Sequence, residues 1–189
     1  MINSNKITGI ILAGGKSKRM GRDKGFILYQ GKTFLEHIAF SLGKVVKDIS
    51  IVADNPDYDK FNYNRIHDVY RNCGPLGGLY SGLLHSDADY AIVLSCDVPL
   101  ITTELIKMLI QEYEELYDVV QFSVDNEAMP LVALYTKTCL ENFKTCLEKG
   151  EYKLLDALSD LQVKTIPIHV ELSKCLSNIN SEEDLASLP

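Results

Sequence analysis

The stretch Leu12-Ala-Gly-Gly-Lys-Ser-Lys-Arg-Met-Gly-Arg-Asp-Lys24 packs glycines and five basic side chains, Lys16, Lys18, Arg19, Arg22 and Lys24, into thirteen residues. Gly14 and Gly15 carry no Cβ, so their backbone N–H groups can approach phosphate oxygens closely, while Lys and Arg neutralise a polyanion through charge-assisted hydrogen bonds. Two unit charges ~4 Å apart are worth ~4 kcal/mol at an effective dielectric near 20, so a few such contacts would hold a triphosphate. The spacing matches neither G-x-G-x-x-G nor the G-x-x-x-x-G-K-[ST] P-loop, so neither of those cradles applies as written. The competing reading is a solvated basic loop. A local basic cluster on a chain whose formal net charge is −7 favours the phosphate reading.

A second group of residues supplies negative charge. Asp97 stands in Cys96-Asp97-Val98-Pro99, directly behind the continuous apolar run Ala91 to Ser95. A hard cation such as Mg²⁺ takes one or two carboxylates plus substrate phosphates, and a carboxylate at the carboxyl end of a strand faces the crevice in which open α/β sheets bind ligands. The alternative for Asp97 is a turn or helix-capping aspartate. Asp68 follows a shorter run, Arg65 to His67, and precedes Cys73-Gly74-Pro75-Leu76-Gly77-Gly78. It could reach a nucleotide or a metal-bound water, or serve only the turn. Gly74, Gly77 and Gly78 would admit a base or ribose close to the backbone, and helix packing explains them almost as well.

These residues need strands and helices to position them. Short runs rich in Ile and Val alternate with stretches of helical period, the pattern of βα units around a mostly parallel sheet. Strands are expected at Ile7 to Ala13, Ile49 to Ala53, Arg65 to His67, Ala91 to Ser95 and Val163 to Ile168. Asp118 to Val124 and Leu131 to Tyr135 read as a further pair, antiparallel across a polar turn at Asp125 to Ala128. Helices are expected at Thr33 to Leu42, from the Gly-Pro turn to Ser86, and at Thr103 to Glu115, Lys137 to Glu148 and Lys153 to Leu161. Ser181 as N-cap with Asp184 at N3 predicts a last short helix. The expected fold is a three-layer α/β sandwich, Rossmann-like, with helices on both faces of the sheet and one domain over residues 1–189.

Composition narrows the classes. The chain of 189 residues is 46% hydrophobic and 24% charged, close to the globular average. Its acidic balance argues against broad nucleic-acid binding. No apolar run approaches the ~20 residues that span a bilayer, and Met1 to Lys6 lack the apolar stretch of a signal peptide, so the cytoplasm is expected. Cys73, Cys96, Cys139, Cys146 and Cys175 form no C-x-x-C pair and read as reduced thiols. His37, His67, His85 and His169 stand isolated.

The Leu12 to Lys24 signature resembles that of the MobA-like molybdenum cofactor guanylyltransferases, within the wider GT-A-type nucleotidyltransferases. Asp68, Gly74-Pro-Leu-Gly-Gly78, Cys96-Asp97-Val-Pro99, Pro130-Leu-Val-Ala-Leu134 and Asn178-Ile-Asn180 follow in that family's order, so the resemblance covers nearly the whole chain. It implies that Leu12, Ala13, Gly14 and Gly15 meet a guanine nucleotide, GTP, through the backbone. It also implies that Lys24 and Asp68 bind the nucleotide, that Asp97 holds Mg²⁺, and that Arg19 is a further phosphate-handling residue. The implied reaction is attack by the phosphate of molybdopterin on the α-phosphorus of GTP, with pyrophosphate leaving. Other proteins that make or accept the molybdenum cofactor would be partners. Two departures concern the acceptor: Met129 precedes Pro130 where the family often has Arg or Gln, and Tyr152 follows Gly150-Glu151 where it often has a basic residue. Two rivals stay open, a cytidylyltransferase acting on molybdopterin or a sugar or polyol phosphate, and a non-catalytic carrier using the same pocket.

Overall fold

The computed structural model describes residues 2, 6–13 and 23–189. Strand β1 (Ile7–Leu12) is buried along its whole length. A 3-10 turn at Lys24–Phe26 then leads into a small hairpin of β2 (Leu28–Tyr29) and β3 (Lys32–Thr33). The hairpin was not expected from sequence. Its loop is Gln30-Gly31, with φ of 45° and 79°, the left-handed pair that a two-residue hairpin needs.

Helix α1 (Phe34–Leu42) starts where the sequence places it, because Thr33 and Glu36 form a capping box: the Glu36 N–H donates to the Thr33 hydroxyl, and the Thr33 N–H donates to the Glu36 carboxylate. Its Leu35, Ile38 and Leu42 turn one apolar face inward. Next come β4 (Ile49–Val52), an unforeseen 3-10 helix at Pro56–Phe61, β5 (Asn64–Ile66), α2 (Gly74–Leu84) and β6 (Tyr90–Ser95).

The second half of the chain carries α3 (Thr103–Gln111), β7 (Val119–Val124), β8 (Glu127–Thr136), α4 (Cys139–Lys149), α5 (Leu154–Leu158), β9 (Val163–Pro167), α6 (Val170–Ser173) and α7 (Glu182–Ala186). Helix α3 stops short of the expected Glu115. Lys164 on β9 reaches back to donate to the Glu112 carbonyl (2.8 Å), placing a cation on the helix's carboxyl end. Helix α5 is likewise shorter than expected, since the Ser159 hydroxyl donates to the Asp156 carbonyl at 2.7 Å and closes the last turn. Strand β8 begins at Glu127 rather than Leu131, because the turn before it is only two residues long. Asp125 and Asn126 both take positive φ, 51° and 67°, which suits a tight hairpin between Val124 and Glu127.

Among the described residues seven strands form one sheet in the order β5-β4-β1-β6-β8-β7-β9, and β8 alone runs against its neighbours. Period-two alternation divides the core. Ile7 and Ile11 of β1 and Ile92 and Leu94 of β6 face α1 and α3, while Ile10, Leu12, Ala91 and Val93 face α2, α4 and α5. The expected layering, helices on both faces of a mostly parallel sheet, is therefore the observed one. Each fully buried Leu or Ile contributes about 1.5–3 kcal/mol. The described cysteines are all free, as expected, and four of the five are buried.

Candidate functional site

Among the described residues, two cavities open along the carboxyl edge of the sheet. The first, about 580 Å³, lies over the ends of β1, β4 and β5 and against the start of α2, and it is lined by Leu12, Ala13, Asp54, Asp68, Gly74 and Gly78 among others. The second, about 560 Å³, lies over the β7–β8 hairpin, from Val124 to Val132, and is closed by Ser173 to Asn178. Ser95 and Leu131 line both, so the cavities adjoin at the end of β6.

Asp97 lines the second cavity, two residues past Ser95, and Lys24 pairs with it. The Lys24 ammonium donates to Asp97 Oδ2 at 3.0 Å, with both side chains more than four-fifths buried, at 15% and 18% exposure. The same ammonium donates to Asn180 Oδ1. Asp97 belongs to a tight turn: the Cys96 N–H continues the ladder to the Leu12 carbonyl (3.0 Å), and the Val98 N–H returns to the Ser95 carbonyl. The turn and the strand end thus fix the carboxylate where the sequence places it, at the crevice.

Asn180 arrives from the far end of the chain. The Ile179 N–H donates to the Asp97 carbonyl at 2.8 Å, and the Ile179 side chain is buried with Ile27 and Phe34. The next two N–H groups, of Asn180 and Ser181, both donate to Asp184 Oδ2, at 2.8 and 2.9 Å, which completes the capping box of α7. Those bonds, the Asn180 N–H foremost, hold the Asp184 carboxyl below its usual range. Sequence reading used Asn180 only as a family mark. Its position beside Lys24 follows from the Ser181 cap, which was legible, plus a docking onto Asp97 that was not.

Among the described residues, Asp97 Oδ1 is buried and has no hydrogen-bond partner. An orphaned carboxylate oxygen is costly without a positive partner. No group of three or more His, Cys, Asp or Glu side chains suited to a metal occurs among the described residues. The donor set thus fits an ion such as Mg²⁺ that keeps substrate phosphates and water as most of its ligands, and does not fit an all-protein cage.

Asp68 lies half-buried on the wall of the first cavity. Burial pushes its carboxyl up, and the nearby charge of Asp54 pushes it further. Leu12 and Ala13 end β1 at the same cavity. Gly74 and Gly78 line it, whereas Gly77 packs: a Cβ there would stand 2.7 Å from the Tyr70 carbonyl oxygen. Gly14, Gly15 and Arg19 lie outside the described residues. Met129 lines the second cavity, and Tyr152 is absent from the lining of either.

Asp23, Asn55 and Tyr58 were not foreseen. Asp23 lines the first cavity and caps the turn that carries Lys24, accepting from the Gly25 N–H at 3.2 Å. Asn55-Pro56, a cap residue followed by proline at the first helical position, was the available signal for the 3-10 helix that bears Tyr58.

A mostly parallel sheet with adjoining cavities at its carboxyl edge and an ammonium–carboxylate pair beside the second forms the kind of ligand crevice that open α/β sheets carry. Comparison with known proteins places the chain further. Residues 9–163 match the family model described as the MobA-like NTP transferase domain. A probable molybdenum cofactor guanylyltransferase of Flavobacterium johnsoniae is 36% identical over 182 residues, 96% of each chain. The molybdenum cofactor guanylyltransferase of Desulfosudis oleivorans is 34% identical over 162 residues, covering 85% of this chain and 80% of that one. The crystal structure of molybdopterin-guanine dinucleotide biosynthesis protein A from Archaeoglobus fulgidus shares the fold, with a TM-score of 0.81, 22% identity and 95% coverage of both chains. The chain belongs to the MobA-like NTP transferase family.

Proposed function

We propose that this nucleotidyltransferase is a molybdenum cofactor guanylyltransferase, moving GMP from GTP to the phosphate of molybdopterin and releasing pyrophosphate. The observation that carries the reading is the largely buried Lys24–Asp97 pair, whose carboxylate lines the second of two adjoining cavities of about 580 and 560 Å³. A transferase must bring two substrates to one phosphorus. A pure carrier has no need of a second chamber beside a charged pair.

In this reading the nucleotide occupies the first cavity, against Leu12, Ala13 and Asp68, with Gly14, Gly15 and Arg19 of the basic segment serving its phosphates. The acceptor enters the second. A phosphate monoester is already nucleophilic near pH 7, so no activated serine or cysteine is required, and the work reduces to positioning and charge neutralisation. Lys24 stabilises charge on the departing pyrophosphate. Asp97 would hold Mg²⁺, which when bound polarises phosphoryl oxygens as a Lewis acid. The sheet that carries both cavities supports treating residues 1–189 as one functional domain. The reaction belongs in the cytoplasm, and among the described residues no helix is long and apolar enough to cross a membrane.

The test is to incubate the protein with molybdopterin, Mg²⁺ and each nucleoside triphosphate in turn and to weigh the product. A guanine dinucleotide formed from GTP is expected. A product formed only with CTP would move the chain to the cytidylyl rivals, and no product with any nucleotide would favour the carrier.

A further inference from the structure

The 3-10 helix at Pro56–Phe61 lies outside the chemistry just proposed, yet two of its side chains converge on the residue beside Lys24. The Tyr58 hydroxyl donates to Asp23 Oδ1, and the Asn55 amide donates to Asp23 Oδ2 at 3.3 Å. With the Gly25 N–H, also on Oδ1, the Asp23 carboxylate accepts from three donors. Asn55 is itself fixed, because its Oδ1 accepts from the Asp57 N–H at 3.0 Å and so caps the helix that carries Tyr58.

Packing reinforces the polar grip. Tyr58 is wholly buried, and its ring stacks on Phe26 at 4.4 Å between centroids. A Cβ at residue 25 would stand 2.2 Å from the Tyr58 hydroxyl oxygen, so only glycine lets the phenol lie against the backbone directly after Lys24. Burial pushes the Tyr58 phenol far above its usual range, which keeps it a protonated donor at any physiological pH. Lys60 sits over the Phe26 ring at 4.2 Å and covers the outer side of the stack.

We infer that Tyr58 is a positioning residue for the transfer: acting through Asp23, it holds the Lys24 turn so that its ammonium meets Asp97, with Asn55 as a second grip on the same carboxylate. The inference rests on the phosphate-handling role proposed for Lys24. The 3-10 helix is in effect a clamp on one lysine. Because Tyr58 grips the cap of the turn and lines neither cavity, its loss should lower the rate of the step that uses Lys24 more than it weakens GTP binding, whereas Asn55 also lines the first cavity.

The experiment is a double-mutant cycle on the full chain. Tyr58→Phe keeps the ring and removes the donor. In an otherwise unaltered chain it should lower kcat about tenfold, with KM for GTP moving less than kcat, the scale expected when a reacting group is misplaced by a fraction of an ångström. In a Lys24→Ala background the same change should cost roughly twofold or less, since residues acting through one group are not additive. Equal losses in both backgrounds would overturn the inference and make Tyr58 merely structural, as would no loss in the unaltered chain. If Lys24→Ala itself leaves turnover intact, the phosphate role of Lys24 fails first, and the clamp has nothing to position. Should Tyr58→Phe fail to fold, Phe26→Leu, which removes the ring stacked on Tyr58 and lines neither cavity, enters the same cycle with the same expectations.

Discussion

The two cavities are of nearly equal volume but are built in opposite ways. The first is made of consecutive strand-to-helix connections of a parallel sheet: the ends of β1, β4 and β5 and the start of α2. Each of its parts follows an apolar run and can be read by itself, although together they span Leu12 to Leu131. The second is made of a hairpin tip, a bulged strand and the segment Ser173 to Asn178, with about forty residues of chain between Val132 and Ser173. In the proposed reading the strand ends hold the triphosphate, and the hairpin side serves the acceptor.

The sharpest way to break this division is at the charged pair. Lys24→Ala should lower turnover by about 10²–10³, the ~2.7–4 kcal/mol of one electrostatic contact realised in the transition state. Turnover within a factor of two of the unaltered chain would reduce Lys24 to a loop residue. Asp97→Asn should follow at about 10², with a thermal midpoint close to the unaltered protein and only partial recovery as Mg²⁺ is raised. A variant that turns over normally at ordinary Mg²⁺ would remove Asp97 from the site.

Smaller effects separate the cavities from each other. Gly77→Ala forces a Cβ to 2.7 Å from a backbone carbonyl at the wall behind the first cavity. Overpacking of this kind should cost ~1–3 kcal/mol, seen as a drop of about 2–4 °C in midpoint per kcal/mol for a chain this size. GTP affinity should weaken with it. Met129→Gln, in the second cavity, should change KM for the acceptor by a few-fold, roughly the ~1 kcal/mol of one hydrogen bond, and leave KM for GTP where it was. A matching change in both constants would show that the two chambers are not separable.

The same asymmetry decided what was legible in the sequence. Strands β1, β4, β5 and β6 and the placing of Asp97 and Asp68 follow from apolar runs ending in glycine, proline or aspartate, because each signal and its consequence sit within a dozen residues. The cap of α7 was equally readable from Ser181 with Asp184. What escaped was set by contacts across the chain. The early stop of α3 depends on Lys164, some fifty residues on. The docking of Asn180 depends on a main-chain bond to Asp97. Tyr58 reads as an ordinary aromatic until the fold brings Asp23 to its hydroxyl.

One consequence of the single reversed strand concerns how such a chain can change over time. Because β8 returns directly from β7 through the two-residue turn Asp125-Asn126, that turn is surface-exposed at the rim of the second cavity and bears no crossover helix. Extra residues inserted there would lengthen the rim while the parallel strands kept their register. In the proposed reading, new acceptors could therefore be sampled by varying one short tip, with the nucleotide half inherited intact.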